Sequence, residues 1–344
     1  MLECYSTNAT AAKIRAIHGH MFTADNYREL MLRRSIPEAA EYLARSNRFK
    51  DVFREVDPGT VHRGFLEELL YKQNFNTYMR LCGFQGLDKL PFYNFLIRKR
   101  EVESILSIIN SINSSLENPS PSDIPGYVIN HSQINLLEIS RSESFADLLK
   151  ILKGTSYYRT LVKVPLMEDG SADYTECERR LRNEYFSEIL TQIKESFAKS
   201  DAQELTDMIL AEIDGRNIIN AYRMKAFFGF SPEDIMRRSL KFTKLGKNRM
   251  EKFYSSESAE QMLEWIDRSV CHGNCEDTDN IEVKVNRVKA RRLSSKIARS
   301  SSTAVVMYAF IQLCEIEVGN IIHIIEGIRY GAEPALIQSQ LVIS

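Results

Sequence analysis

Two short patterns each occur three times along this chain, always in the same order. The first is a serine followed three residues later by an acceptor side chain: Ser35-Ile-Pro-Glu38, Ser144-Phe-Ala-Asp147 and Ser258-Ala-Glu-Gln261. The second is an acidic-apolar-acidic step that opens an apolar helix: Glu101-Val-Glu103, Glu212-Ile-Asp214 and Glu315-Ile-Glu317. The spacing from first pattern to second is similar in all three copies, running from Ser35 to Glu101, from Ser144 to Glu212 and from Ser258 to Glu315. Two interleaved patterns constrain the fold more tightly than either would alone. They imply three similar helical lobes of about 110 residues each, inside the usual domain size range. Such a body suits a mechanical or binding part better than a one-pocket enzyme.

The first pattern specifies a helix start. A serine at the N-cap accepts a hydrogen bond from an early backbone N–H, and a Glu or Gln three residues on can return one to the cap; Asp147 is a shorter version of the same device. Four, five, seven and eight residues after the serine come Ala39, Ala40, Tyr42 and Leu43 in the first copy. Leu148, Leu149, Ile151 and Leu152 follow in the second, and Met262, Leu263, Trp265 and Ile266 in the third. Those offsets share one helix face, so each copy also specifies a buried side.

The second pattern is longest in its last two copies. Glu212-Ile-Asp-Gly-Arg-Asn-Ile-Ile219 aligns with Glu315-Ile-Glu-Val-Gly-Asn-Ile-Ile322. Each runs on to a stop, Gly229-Phe-Ser-Pro232 and Gly331-Ala-Glu-Pro334, with one residue gapped between Ile219 and Gly229. The glycine is expected to close the helix in a left-handed conformation and the proline to open the next. Asn217 and Asn320 interrupt apolar helices, where a buried amide needs partners; a hydrogen bond inside each lobe is the plain expectation, a shared contact surface the sharper one. The first copy, Glu101 to Ile109, lacks the asparagine and runs into the polar loop Asn118-Pro-Ser-Pro-Ser-Asp123.

Helical periodicity dominates elsewhere too, with nine prolines and 15 glycines in 344 residues. Asp57-Pro-Gly59 breaks an early helical stretch, Pro165 to Asp173 is a turn-rich connection between lobes, and Cys271 to Asn280 is a polar loop. Strand signals are short and isolated, at Tyr127 to Ile129 and Leu161 to Val164, and no βαβ alternation exists to build a nucleotide-binding sheet. The net charge of -1 gives no global pull toward nucleic acid or anionic membrane. Six scattered cysteines and an N-terminus without a secretory pattern read as reduced thiols in a cytosolic protein. The longest apolar run, Ala304 to Ile311, is too short to cross a bilayer, which takes roughly 20 residues.

Sites of chemistry are weakly signalled. Leu245-Gly-Lys-Asn248 contains a Gly-Lys pair, but Lys241 stands where a phosphate loop needs its first glycine and Asn248 where it needs Ser or Thr, so a charged turn is expected. Cys271-His272-Gly-Asn-Cys275 offers three metal ligands of the four a structural zinc site takes, and no second pair completes it. Glu276, Asp277 and Asp279 read as a solvated acidic turn. No catalytic, cofactor-binding or metal residue is assigned. Lys284 to Arg299 is a basic stretch without aromatics, read as a solvated helix face or as a docking surface for an acidic partner or lipid head groups.

Taken together, four segments resemble the C subunit of bacterial and archaeal V/A-type ATPases, the counterpart of the d subunit in the eukaryotic V-ATPase. They are Asn8 to Ala16 with Tyr27-Arg-Glu-Leu30, Ser144 to Tyr157, Glu212 to Ile235, and Phe310 to Leu341. One departure is plain: the arginine common in that family before the C-terminal asparagine is Gly319 here, while the middle copy has Arg216. The resemblance implies an all-α protein of three pseudo-equivalent lobes forming a funnel around a pseudo-threefold axis. The lobes are expected at 1–120, 121–235 and 236–344, with the N-terminal helix a candidate to pack against the C-terminal lobe. It also implies a non-catalytic rotor subunit of the central stalk. Such a subunit has no cofactor and couples the D and F shaft to the membrane ring of proteolipid subunits from the cytoplasmic face. The alternative reading is a cytosolic α-helical scaffold that binds proteins; a helical metalloenzyme centred on Cys271, His272 and Cys275 is a third.

Overall fold

The computed structural model describes residues 2–84, 86–114, 125–168, 170–272, 278 and 280–343, with side chains from residue 9 onward. The loop Asn118 to Asp123, Cys275 and the acidic residues Glu276, Asp277 and Asp279 lie outside the described residues. In chain order the helices are α1 (Leu2–His18), α2 (Ala24–Met31), α3 (Ile36–Arg45), α4 (Arg63–Gly83), α5 (Phe95–Asn113), α6 (Gly126–Ile129), α7 (Leu136–Ile139), α8 (Phe145–Ile151) and α9 (Ser156–Leu161). There follow α10 (Tyr174–Ser196), α11 (Lys199–Phe228), α12 (Pro232–Arg238), α13 (Lys247–Tyr254), α14 (Ala259–Ile266), α15 (Ile281–Arg299), α16 (Thr303–Tyr330) and α17 (Pro334–Ser339). Among the described residues there is no strand, only an isolated antiparallel bridge between Leu166 and Ala172. The all-α class expected from the periodicity therefore holds. The weak strand signal at Tyr127 to Ile129 is a helical turn, and Leu161 is the last residue of α9.

All three capped starts form. Ser35, Ser144 and Ser258 share an extended backbone, with φ of -149°, -142° and -138°, and each hydroxyl accepts from the amide three residues on. The return bond differs from the expectation. The Glu38 carboxylate accepts from Arg34 N and the Gln261 amide oxygen from Glu257 N, one residue before the cap rather than at the cap itself. The shorter Asp147 accepts from the Ser144 hydroxyl, at 2.6 Å, and makes no bond back to the backbone ahead of the cap among those described. In every copy the fourth and eighth residues after the serine are buried: Ala39 and Leu43, Leu148 and Leu152, Met262 and Ile266. Each buried leucine or isoleucine contributes roughly 1.5–3 kcal/mol of transfer free energy, so the inward face outweighs the cap of about 1 kcal/mol.

The long helices end as their glycines require. Gly229 and Gly331 are left-handed, at φ of 61° and 63°, and Pro232 and Pro334 open the helices that follow. Asp57 accepts from Gly59 N, turning the chain ahead of α4.

Contacts gather into two compact units. One joins the two ends of the chain, Met1–Leu87 with Ser256–Ser344; the other is Asp88–Ser255. In the first, α16 is the centre, with α1, α2, α3, α4, α15 and α17 packed on it. By length and composition α16 could cross a membrane, but 78% of its most apolar stretch is buried inside the unit. A helix apolar on all sides is what the middle of a bundle demands. Val318, Ile321, Ile324 and Ile325 meet Leu30, Leu43, Leu66 and Leu70 in this core. In the second unit α5 packs on α10, and Val102, Ile105 and Ile109 meet Leu148, Leu161 and Leu181. The turn at 165–173 lies within this unit, closed by Met167 N donating to Ser171 O.

Candidate functional site

The repeats converge on three buried carboxylates. In the unit that joins the chain ends, Glu317 projects from the middle of α16 and is 2% exposed. Its Oε1 accepts from Phe22 N at 2.8 Å and its Oε2 from Arg48 Nε at 2.8 Å. Arg48 also donates to Asn74 Oδ1 at 2.9 Å and to the Cys314 sulfur at 3.1 Å. Gln73 holds the Arg48 carbonyl and Asn74 the Cys314 carbonyl. Burial pulls the guanidinium down, yet Cys314 and Glu317 beside it push it higher, so Arg48 stays charged. Burial pushes the Cys314 thiol up to about 12, against the pull of Arg48, which keeps it a neutral acceptor.

In the other unit, Glu101 of α5 is fully buried. Gln133 N donates to its Oε1 at 2.6 Å, the Ser132 hydroxyl at 2.8 Å, and the Tyr157 hydroxyl donates to Oε2 at 2.6 Å. Burial, then the Glu101 charge, raises the Tyr157 phenol far above its ordinary value and holds it as a donor. Asp214 of α11 repeats the geometry in the same unit: Lys244 N and Leu245 N both donate to its Oδ2 at 2.9 Å. Burial raises this carboxyl and those two amides pull it partly back.

Each carboxylate therefore clasps the backbone a short way ahead of a capping serine: Phe22 before Ser35, Gln133 before Ser144, Lys244 and Leu245 before Ser258. Beyond the serines, one offset is shared by all three copies. It leads from Ser35 to Arg48, from Ser144 to Tyr157 and from Ser258 to Cys271, and each of these residues is buried. Arg48 and Tyr157 donate to the clasping carboxylate. This geometry changes the register of the first copy. Its buried acid is Glu101, matched to Asp214 and Glu317, while Glu103 sits nearer the surface and pairs with Arg100. Ser104 then stands at the place of Asn217 and Asn320.

Those asparagines make a second repeated device. Asn217 accepts from Leu240 N at 2.9 Å and donates to Leu240 O at 3.0 Å. Asn320 accepts from Val342 N at 2.8 Å and donates to Val342 O at 2.9 Å. Each amide thus pins one residue of the chain returning past a glycine-closed helix; Val342 shares the expected 236–344 lobe with Asn320, whereas Leu240 falls beyond the expected 121–235 lobe of Asn217.

The other sequence candidates are accounted for locally. The amides of Lys244 and Leu245 are turned to Asp214, and Gly246 opens α13, so the Gly-Lys pair presents no phosphate cradle. Cys271 is buried while His272 is exposed in a left-handed turn, and among the described residues no three His, Cys, Asp or Glu gather to hold a metal. Within α15, Lys284 pairs with Asp267 at 2.7 Å, Lys289 reaches Gln312 and Arg287 reaches Leu341 O. Of the seven basic residues from Lys284 to Arg299, only Arg291, Arg292 and Arg299 are exposed. Arg15 of α1 closes the end of that helix, donating to Ile297 O at 2.8 Å and Ser300 O at 2.7 Å, where the helix dipole favours a cation.

Capped helices clasped by buried carboxylates define an all-helical body among the described residues. The sequence model of the family described as "ATP synthase (C/AC39) subunit" matches residues 10–340. The chain belongs to that family. It is 22% identical over 342 residues to the C subunit of the A-type ATP synthase of Archaeoglobus fulgidus, covering 96% of this chain and 95% of the relative. It is 23% identical over 219 residues to the C subunit of the A-type ATP synthase of Methanococcoides burtonii, covering 62% of this chain and 58% of that one.

Proposed function

We propose that this chain is the non-catalytic rotor subunit of a V/A-type ATPase central stalk, joining the D and F shaft to the proteolipid ring on the cytoplasmic face. The observation that carries this reading is the family match across residues 10–340. The clasps support a three-lobed body: each acidic helix holds the approach to the next capped helix, and the third returns from Glu317 to Phe22. Torque transfer needs a body that does not yield between its two contacts, and buried carboxylates hydrogen-bonded to distant segments give such stiffness.

The test is a pull-down of the full chain from native membranes. Recovery of the ATPase head, shaft and ring subunits in stoichiometric amounts is expected. A chain that runs alone in the soluble fraction overturns the rotor reading and leaves a cytosolic binding scaffold.

A further inference from the structure

The C-terminal end of α11 exposes two adjacent phenyl rings. Phe227 is 74% exposed and Phe228 70% exposed. Phe228 lies against Phe230 with ring centroids 5.9 Å apart, and the Arg238 guanidinium sits 5.0 Å over the Phe230 ring. From Arg223 to Arg238 there are four cationic residues and two acidic ones. Asp234 is engaged by the Ser231 hydroxyl and by Arg237. Residues 226–229 are all exposed, so the feature is a protruding tip, not a groove that could seat a partner helix.

We propose that this tip, with the turn into α12, contacts an anionic lipid bilayer. Aromatic rings with flanking Lys and Arg are the side chains that settle at the headgroup boundary: the ring enters the apolar edge while the cations remain among the phosphates. The backbone suits that position. Gly229 N donates to Lys225 O and Phe230 N to Met224 O, so the turn satisfies carbonyls that a bare helix end would carry into a poorly hydrated layer. The same design recurs in the other unit. Tyr330 immediately precedes the left-handed Gly331, is 73% exposed, and has the Arg329 guanidinium 5.3 Å over its ring. Phe228 and Tyr330 thus occupy one repeat position, and the isoleucines at the matching place in the following helices, Ile235 and Ile337, are both buried.

The bilayer contact stands independently of the rotor role, and vesicle flotation of the purified full chain tests it. The vesicles are phosphatidylcholine alone or phosphatidylcholine mixed with phosphatidylglycerol. Wild-type protein is expected to float with the anionic vesicles about tenfold more than with the neutral ones, and less at high salt. F227S/F228S is expected to lose roughly tenfold of that binding with an unchanged thermal unfolding curve, since both side chains are exposed; K225Q/R237Q loses part of it. Wild-type protein that ignores anionic vesicles, or F227S/F228S that floats like wild type, overturns the proposal. If vesicles are ignored while F227S/F228S loses recovery of ATPase subunits from membranes, the tip belongs to a protein contact and the lipid assignment fails.

Discussion

Glu317 is buried with a guanidinium 2.8 Å away, whereas Glu101, equally buried, meets a phenol, a serine hydroxyl and a backbone amide, with Arg98 4.0 Å off. The two occupy the same repeat position and perform the same task of holding a loop. They differ in what compensates their charge. At Glu317 the partner is itself an ion taken out of water, so removing either member strands the other. At Glu101 the partners are neutral dipoles that survive the loss of the charge. The charged clasp is also the one that ties residue 317 to residue 22, so the most exacting chemistry sits where the chain must find its own beginning.

Arg48→Ala puts this contrast under the greatest load. It should destabilise the unit formed by the chain ends by about 3–5 kcal/mol, read by native-state hydrogen exchange of α16 amides. Pairing Arg48→Met with Glu317→Gln should regain much of that, because the glutamine oxygen can still accept from Phe22 N. Glu101→Gln is the counterpart, expected to cost only about 1–3 kcal/mol in the other unit, read on α5. Equal losses for Arg48→Ala and Glu101→Gln would erase the difference between charged and neutral clasps.

Asn217→Leu and Asn320→Leu come next. Each orphans one partly buried N–H and one C=O, and each should cost about 1 kcal/mol in its own unit by the same exchange measurement. The two losses should be alike, since the two amides have matching geometry.

A pH effect separates the units further. Burial lowers the pKa of His18 in α1 from its usual 6.5, with Glu317 opposing. A depressed folded-state pKa means the unfolded chain takes up the proton first. Stability is therefore retained above about 6.5 and lost as pH falls below it, in the unit formed by the chain ends. His18→Gln should flatten that dependence in urea titrations from neutral to mildly acidic pH, without altering exchange in the 88–255 unit. The smallest effect is expected at Gly319, where an added Cβ meets nothing within 4 Å. Gly319→Ala should stabilise by about 0.5–1 kcal/mol in thermal unfolding. Gly327 is the contrast, because a Cβ there would run into Ile337 Cδ1.

The caps and the glycine stops are legible in the sequence because every atom involved lies within a few residues. Ser35, Ser144 and Ser258 need only their own next turn, and Gly229 and Gly331 only the preceding one. The clasps are half legible. The acidic steps stand out, but Phe22 N lies 295 residues from Glu317 and Arg48 lies 269 away, and no local pattern encodes such a pairing. The register of the first copy is hidden for the same reason: Glu101-Val-Glu103 matches the spelling of the other steps, yet burial selects its first acid rather than its second. One clue lies in the offset that the three capping serines share. Its occupants, Arg48, Tyr157 and Cys271, differ so much in type that only their burial reveals the equivalence.

The meeting of residue 22 with residue 317 also sets an order of events on the ribosome. The stretch 88–255 is finished, and can assemble, before the C-terminal part of the neighbouring unit, Ser256–Ser344, exists. The N-terminal part of that unit, Met1–Leu87, must wait for α16. At ~5–20 residues per second the 295 residues between Phe22 and Glu317 amount to a delay of roughly 15–60 s. During that interval Leu30, Leu43, Leu66 and Leu70 have no α16 to cover them. The emerging N-terminal segment is thus a natural client for chaperones that shield apolar surface, while the middle of the chain is not.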